Sequence, residues 1–312
     1  MERKIVNMSD IQKVLVLGAS GDQGIPLVAA LKDKGASVIA GARRLDAMQD
    51  TPYSDLPTIL ADIHNQESLE KAFSQVDAVA MHLPFEHDLD VATAFGENIA
   101  QAAANVGLKK IVFNTSCYVA DQNLGMTAHD ARRVIEQSIR DSGVDYVILR
   151  PAVFMDNMVR TWIKPAIVNN DMFVYPASET LKISWICLED LAALSAHATL
   201  SESLSRESII VGGPEALTGF EVAERLSKIA GRTISFNSIT PQSFAENMSE
   251  LVTGSREIPE GSVYNGMAKF YNWYNDQPKS PLDIDPASFT DRLPVKLTPF
   301  SEWAEKHDWS VV

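Results

Sequence analysis

The sequence of 312 residues has little of what metal sites, disulfide scaffolds and nucleic-acid surfaces require. Its only cysteines, Cys117 and Cys187, lie far apart and lack metal-ligand spacing, so we expect neither a disulfide framework nor a zinc site. Basic residues number 27 against 41 acidic ones, and the net charge of −14 would repel a phosphate backbone. We therefore expect no metal and no nucleic-acid partner.

Long apolar runs are also missing. No stretch approaches the roughly 20 residues that a membrane helix needs. The opening stretch, MERKIVNMSDIQK, has no apolar segment of signal-peptide length. These absences predict a soluble, cytoplasmic protein without a membrane partner.

What the sequence does contain is a regular alternation of short apolar runs and amphipathic stretches over residues 13–150. Runs such as KVLVLGA and KIVFNTS are apolar on both faces, as strands buried inside a parallel sheet must be. Two of the intervening helices are predicted to end at Gly107 and Gly143. We predict an α/β fold: a Rossmann-type doubly wound parallel sheet with a smaller C-terminal α/β portion that binds substrate.

The rhythm changes after Pro151, and we place a boundary there between residues 1–150 and residues 151–312. FMDNMVRTWIKPAIVNND is predicted to be helical with an interruption at Pro165, and LKISWIC is predicted to be a strand. The second portion is expected to pack on the carboxyl edge of the sheet, and some of its segments can join that sheet.

A glycine-rich loop, VLVLGASGDQG, directly follows the first predicted strand and precedes a helix. Gly18, Gly21 and Gly24 are placed so that backbone N–H groups and the helix dipole can meet a pyrophosphate. The alternative is a tight turn with incidental glycines. We predict an NAD(P)-binding Rossmann domain at 1–150, with further loop contacts from Ser20, Asp22 and Gln23.

The end of the second strand, SVIAGARRL, predicts which nicotinamide cofactor is preferred. An acid there would bind the ribose 2′-hydroxyl, whereas an arginine meets a 2′-phosphate. No acid is present, and Arg43 and Arg44 follow at once, so NADP(H) is predicted over NAD(H). The alternative is a solvated surface pair.

At this point the chain resembles the NmrA-like branch of the atypical short-chain dehydrogenase/reductase superfamily, from about residue 12 to Arg232. The resemblance lies in GASGDQG, GARR, LADIHNQESLEKAF, IVFNTS, RRVIEQSIRDSGVDYVILRPAVFMDN and ISWICLEDLAALSAHATL. It implies that Asp62 and Ile63 lie near the adenine, although Asp62 could equally be a turn or capping acid. It also implies backbone contacts to the cofactor ribose from Leu83 and Pro84, whereas His82 is expected to be a strand residue.

The superfamily's Tyr-x-x-x-Lys motif is missing from this sequence. Arg132 stands where the family often has a lysine, and it could hold ribose hydroxyls or an amide oxygen. His129 could donate a proton near neutral pH. The alternative is an Arg132–Glu136 ion pair on a solvated helix with His129 at its edge. Ser116 either binds a substrate carbonyl beside the nicotinamide or caps a strand end.

Aromatic and sulfur-containing residues supply candidate walls for a substrate pocket. We expect Phe154, Met158 and Trp162 to share one helical stripe, with Tyr118 nearby, although at least one of the stripe could be plain core. Arg150 is expected to brace the cleft. Trp185, Tyr271 and Tyr274 could close the pocket or pack the tail.

Two functions follow from this pattern. The favoured one is an NADPH-dependent oxidoreductase that transfers hydride to a small, apolar or aromatic conjugated acceptor such as a quinone or enone, because such acceptors need only modest acid help. The alternative is a non-catalytic NADP(H)-binding redox sensor that acts through a protein partner. A homodimer is compatible with either function.

Overall fold

The structure is a computed structural model that describes residues 10–310. These residues form nine strands and ten α-helices. The strands are β1 Lys13–Leu17, β2 Ser37–Ala42, β3 Thr58–Leu60, β4 Ala78–His82, β5 Lys110–Asn114, β6 Asp145–Pro151, β7 Met172–Tyr175, β8 Glu207–Val211 and β9 Ser235–Ser238. The helices are α1 Gly24–Asp33, α2 Gln66–Phe73, α3 Leu89–Val106, α4 Thr127–Asp141, α5 Lys164–Asn170, α6 Leu188–Leu200, α7 Gly219–Ala230, α8 Pro241–Thr253, α9 Val263–Asp276 and α10 Phe300–Ala304. Short 3₁₀ turns occur at Met155–Val159 and Pro286–Ser288.

Seven strands form one parallel sheet in the order β3-β2-β1-β4-β5-β6-β8. The order reverses between β1 and β4, which leaves a crevice at the carboxyl ends of these strands, the usual ligand position in such sheets. The predicted Rossmann-type doubly wound fold is therefore confirmed. The last strand of the sheet, β8, comes from the second portion of the chain, and a separate parallel pair is formed by β7 and β9.

The sheet is buried on both faces because successive side chains of each strand point to opposite sides. In β1, Val14 and Val16 pack into one core with α1 and α6, whereas Leu15 and Leu17 pack into a second core with α2, α3 and α4. This two-sided burial explains why the strands are continuous apolar runs.

Glycines end the helices near the predicted positions. Gly107 caps α3 in the left-handed region with φ +66°. The helix α4 ends one residue earlier than predicted, with Ser142 as its C-cap, and Gly143 takes the left-handed φ of +79°. Both stops depend on a backbone conformation that glycine adopts without a steric cost.

Two local predictions for the second portion are wrong. LKISWIC is not a regular strand: Ile183 and Ile186 form only isolated bridges, to Leu217 and Phe154. Pro165 does not interrupt a helix but lies in the first turn of α5, where its missing N–H costs nothing. The residues before it form a 3₁₀ turn, so the predicted helical stripe does not exist.

Candidate active site

The glycine loop turns sharply between β1 and α1. Gly18 has φ +84°, and a Cβ on it would lie 2.7 Å from Cε1 of His82. A Cβ on Gly24 would lie 2.0 Å from the Gly18 carbonyl oxygen, so this position has no room for a side chain. Gly18 and Gly24 are therefore required by the geometry of the turn, and the binding of a dinucleotide by this loop stays a prediction.

This loop leaves backbone donors free. The N–H groups of Gly21, Gly24 and Ile25 bond to carbonyls within the loop. Within residues 10–310, the N–H groups of Asp22 and Gln23 have no hydrogen-bond partner. They immediately precede the ten-residue helix α1, and the positive end of the α1 dipole lies at this N-terminus. The loop can therefore hold an anionic group such as a pyrophosphate.

The Gln23 side chain ties this loop to the end of β5. Its Oε1 accepts a hydrogen bond from Asn114 Nδ2 at 2.8 Å, and its amide lies 3.1–3.2 Å from Ser116 Oγ. The Ser116 N–H donates to Asn114 Oδ1 at 2.8 Å, and Ser116 has a φ of +63° that is uncommon for a residue with a side chain. Ser116 is thus held at the strand end, with its hydroxyl bonded to Gln23.

Arg132 on α4 is buried without an acidic partner. Only 1% of the residue is exposed. Its Nη2 donates to the Leu83 carbonyl at 2.8 Å, and its guanidinium lies 4.6 Å from the Phe85 ring centroid. Its Nε and Nη1 have no partner among the described residues. The alternative of an Arg132–Glu136 ion pair on a solvated helix is wrong.

Glu136 is instead bonded to Arg150 on the neighbouring strand β6. Arg150 donates through Nε at 3.0 Å and Nη2 at 2.7 Å to this buried carboxylate, and through Nη1 at 2.6 Å to Asp121. These two acids hold the pKa of Arg150 above its ordinary value in spite of burial. Arg150 therefore joins β6, α4 and the segment after β5, as a bracing residue would.

His82, at the end of β4, lies against Gly18 under the glycine loop. Burial and the nearby charge of Arg132 lower its pKa to about 4, so its imidazole is neutral at neutral pH. Its Nδ1 has no hydrogen-bond partner within the described residues. We expected a neighbouring residue to form a hydrogen bond with His82, but none within residues 10–310 does so at Nδ1.

His129 is buried deep in α4 rather than at a solvated edge. Its Nε2 lies 3.1 Å from the Tyr274 hydroxyl, and its ring stacks on Phe270 with centroids 5.3 Å apart. Burial lowers its pKa to about 4. The expectation that His129 titrates near neutral pH is therefore wrong, because burial lowers its pKa and no carboxylate of residues 10–310 offsets the loss of hydration.

The glycine loop, Ser116 and His129 meet at a cavity of about 410 Å³, and its lining does not include Arg132, Arg150 or His82. Asp22, Gln23 and Ser116 are part of its lining, and aromatic rings supply much of the rest. The rings come from the segments after β5 and β6, from β7 and from α9, and they include Tyr118, Phe154, Trp162, Tyr175, Phe270, Tyr271 and Tyr274. The cavity can hold a small, apolar or aromatic molecule directly beside the glycine loop.

The structure places some of the predicted substrate residues at the cavity and others in the core. Phe154, Trp162 and Tyr118 line the cavity. Met158 does not: it is fully buried in the main core, so its predicted place in the pocket wall is wrong. The 3₁₀ turn and the bend after it place Phe154 and Trp162 at the cavity without a shared helical stripe. Trp185 packs in the core against Phe173 and Tyr175.

The remaining cofactor candidates lie along the crevice. Arg43 and Arg44 are exposed after β2, and Arg44 pairs with Asp46 at 3.3 Å, whereas Arg43 has no ion pair among residues 10–310. Asp62 accepts the His64 N–H in a turn after β3, as its alternative reading expected. The helix that follows is capped by Asn65 instead. Ile63, Leu83, Pro84 and Ser20 flank the same carboxyl edge of the sheet.

Several cavity residues were not identified from the sequence. Asp156 accepts the Leu188 N–H at 3.0 Å, and burial raises its pKa to about 6. Arg160 pairs with Asp22 at 2.6 Å and so connects the second portion to the glycine loop. Met267 and Phe270 share one helical face with Tyr271 and Tyr274, which were expected to close the pocket or pack the tail and which line the cavity. The spacing of these four residues was available from the sequence.

No helix within residues 10–310 is long and apolar enough to cross a membrane. The same residues contain no group of three or more histidine, cysteine or acidic side chains arranged to hold a metal ion. Cys117 and Cys187 are both free, and burial raises the pKa of each thiol above its ordinary value.

Curated relatives cover about three quarters of this chain. An NAD(P)H azoreductase of Xenophilus azovorans is 27% identical over 254 residues, which span 76% of this chain and 85% of the relative. Agroclavine dehydrogenase of Claviceps purpurea is 25% identical over 75% of each chain. The prestalk A differentiation protein A of Dictyostelium discoideum is 26% identical over 78% of this chain and 82% of its own.

Solved structures of the same fold match nearly the whole chain. The NADPH-dependent quinone oxidoreductase of Escherichia coli, complexed with NADPH, gives a TM-score of 0.78 at 19% identity and covers 94% of this chain and 99% of its own. The Citrobacter triphenylmethane reductase complexed with NADP(H) gives 0.75 at 20% identity with the same coverage. The NmrA-like family model matches residues 10–304, and the enzymes named here are oxidoreductases. The chain belongs to the NmrA-like family, as the motifs in its sequence predicted.

Proposed function

We propose that this protein is an NADPH-dependent oxidoreductase that transfers hydride to a small conjugated acceptor such as a quinone or an enone. The observation that carries the proposal is the aromatic-lined cavity that begins at the glycine loop and Ser116. A cavity in that position brings a small acceptor to the place where a dinucleotide held by the loop would end.

The residues present fit a nicotinamide dinucleotide. Within residues 10–310, the glycine loop leaves the N–H groups of Asp22 and Gln23 free for a pyrophosphate, and Arg132 has two buried donors without partners. A buried cation with free donors is costly unless a ligand completes it. When bound, the reduced cofactor supplies a hydride to the acceptor.

The preference for NADPH is proposed from the end of β2. The strand ends at Ala42 with no acid, and the exposed guanidinium of Arg43 has no competing acidic partner among the described residues. Arg44 is already engaged by Asp46 in an exposed ion pair, so its contribution is smaller.

The chain's own residues have three proposed tasks. The rings of α9 and Phe154 exclude water from the acceptor, which strengthens every electrostatic interaction in the cavity. Arg132 positions the nicotinamide end of the cofactor and supplies a positive field. Ser116, whose hydroxyl is bonded to Gln23, forms the part of the cavity wall beside the acceptor. The names of the relatives, which include an azoreductase and a quinone oxidoreductase, agree with an acceptor that spreads charge over a conjugated system.

The second candidate is an NADP(H)-binding redox sensor that acts through a protein partner. The observation in its favour is that both expected catalytic groups are already bonded to protein side chains, Ser116 to Gln23 and His129 to Tyr274. Such a sensor would bind NADPH and would not oxidise it.

The test is NADPH oxidation by the purified protein with quinones, enones, azo dyes and triarylmethane dyes. Arg132→Ala and His129→Ala are compared with Arg140→Ala, which removes a charge from the last turn of the same helix. We expect turnover in the wild type and in Arg140→Ala, and a loss of turnover in Arg132→Ala. Tight NADPH binding without turnover on any acceptor would favour the sensor instead.

A further inference from the structure

We propose that Tyr274 is the proton donor of the reaction, and that His129 positions it. The inference rests on the proposed reductase function, because it assigns a residue within that same site. The phenol belongs to α9, which lies far from α4 in the sequence. It supplies the proton for which α4 carries no tyrosine.

The position of Tyr274 meets the first requirement of a donor. Its side chain lines the cavity with Ser116 and Tyr118, and only 3% of the residue is exposed to water. The ring packs edge-on against Tyr118 with centroids 6.1 Å apart. A ligand in the cavity therefore contacts the Tyr274 side chain, which is largely screened from water.

Among the described residues that line the cavity, the Tyr274 hydroxyl is the one bonded to a histidine, whereas those of Ser116 and Tyr271 are bonded to an amide and to another phenol. Ser116 Oγ is bonded to Gln23, and the hydroxyl of Tyr271 lies 2.5 Å from that of Tyr175. Tyr274 has one hydrogen-bond partner among the described residues, His129 Nε2. A phenol can both accept and donate, so one of its two roles remains open.

The tautomer of His129 determines which role that is. If the proton were on Nδ1, a buried N–H would have no acceptor, since Nδ1 has no partner among residues 10–310. An unpaired buried donor is rarer in proteins than an underused acceptor. With the proton on Nε2, His129 donates to the phenol oxygen and the Tyr274 O–H points to a ligand.

The surroundings of Tyr274 keep its hydroxyl protonated. Burial holds the pKa of Tyr274 well above its ordinary value, and burial keeps His129 neutral. The phenol is therefore a hydrogen-bond donor throughout the working pH range. Tyr118 is the competing phenol, but it is half-buried and has no hydrogen bond within residues 10–310 to fix its hydroxyl.

The proton and electron balance of the step is simple. The acceptor gains an electron pair with the hydride, and negative charge develops on its carbonyl oxygen. The Tyr274 O–H bond breaks, an O–H bond forms on the acceptor, and the phenolate is held by the Nε2–H of His129. A proton from water restores the phenol after the product leaves. General acid help of this kind contributes about 10²-fold or more to a rate.

The test uses two acceptors with different proton requirements. A quinone needs a proton with the hydride, whereas a cationic triarylmethane dye is neutralised by hydride alone. We expect Tyr274→Phe to lower kcat with the quinone by about 10²-fold and to leave dye reduction within about twofold of the wild type. His129→Leu should show the same selective loss to a smaller extent, with partial rescue in His129→Gln. The control is Tyr264→Phe, which removes a phenol from the first turn of α9 outside the cavity lining.

A binding measurement tests the contact without turnover. Quinone titrated into the cofactor-free protein should bind Tyr274→Phe several-fold more weakly than the wild type, as expected for one lost hydrogen bond. Equal losses on quinone and dye, or a selective loss in Tyr118→Phe instead, would overturn the assignment of Tyr274. If the wild type reduces no acceptor, the proposed reductase fails, and unchanged quinone binding in Tyr274→Phe would reject the contact separately.

Discussion

Arg132 and Arg150 are two buried arginines in opposite electrostatic situations, and replacing each by methionine should give opposite results. Arg150 is matched by Glu136 through two hydrogen bonds, at 3.0 and 2.7 Å. Arg132 has no acid within ion-pair distance among the described residues and has two donors without partners. The perturbation has the same chemistry in both, since methionine retains much of the side-chain volume and removes the charge.

The magnitudes follow from what each change leaves behind. Arg150→Met leaves the Glu136 carboxylate buried without its main partner, which costs about 3–5 kcal/mol of unfolding free energy. Arg132→Met loses one hydrogen bond to Leu83, worth about 1 kcal/mol, and a cation–π contact with Phe85 of about the same size. It also removes a buried charge whose desolvation costs several kcal/mol. We expect its unfolding free energy without NADPH to equal or exceed that of the wild type.

With NADPH bound, we expect the wild type to have a higher unfolding free energy than Arg132→Met. Each charge-assisted hydrogen bond contributes about 1.5–3 kcal/mol, so losing one from the free Nε or Nη1 should weaken NADPH binding at least about tenfold. Urea unfolding with and without NADPH measures both effects, and calorimetric titration checks the affinity. If Arg132→Met is destabilised as much as Arg150→Met and binds NADPH normally, Arg132 is a structural residue and the cofactor argument is wrong.

Two further predictions concern charge. Arg43→Glu should weaken NADPH binding at least about tenfold and leave NADH binding unchanged. Arg44→Glu should have a smaller effect because Asp46 already engages Arg44. If the NADPH and NADH titration curves coincide in the wild type and again in Arg43→Glu, this prediction is wrong. The His129 pKa is lowered from 6.5 to about 4, so the unfolded chain takes up a proton first as the pH falls. His129 should contribute up to about 3 kcal/mol to a decline in the unfolding free energy between pH 6.5 and 4. In pH-dependent urea unfolding, His129→Phe should remove this contribution and leave that of His82, whose pKa is also lowered to about 4.

The parts of the fold that depend on nearby residues could be predicted from the sequence. The buried strands and the glycine turn are local signals, because strand burial shows as continuous apolar runs and Gly18 and Gly24 adjoin β1 and α1. The LKISWIC strand was predicted wrongly for the same reason. Its apolar composition suits a strand, but the segment finds no strand to pair with and forms only isolated bridges.

The parts of the site that depend on distant residues could not be predicted. His129 and Tyr274 are 145 positions apart, and nothing in the local pattern of either residue indicates the other. Glu136 appeared to be a helical partner of Arg132 four residues away. Its hydrogen-bonded partner is Arg150, 14 positions away on a neighbouring strand, and Arg140 on the same helix lies 3.5 Å from it. Local spacing describes a helix surface, whereas the partners of a buried charge are set by the tertiary fold.

The seventh strand of the sheet has a consequence for how the protein is made. Because β8 completes the sheet beside β6, and residues 152–206 lie between them, the sheet stays open at one edge until Val211 has left the ribosome. A nascent chain that ends near residue 150 would expose β6 with its unpaired backbone groups, which is a template for aggregation. Residues 152–206, which carry part of the cavity lining, must therefore be synthesised before the sheet is complete, so β6, β8 and the segment between them are expected to fold together.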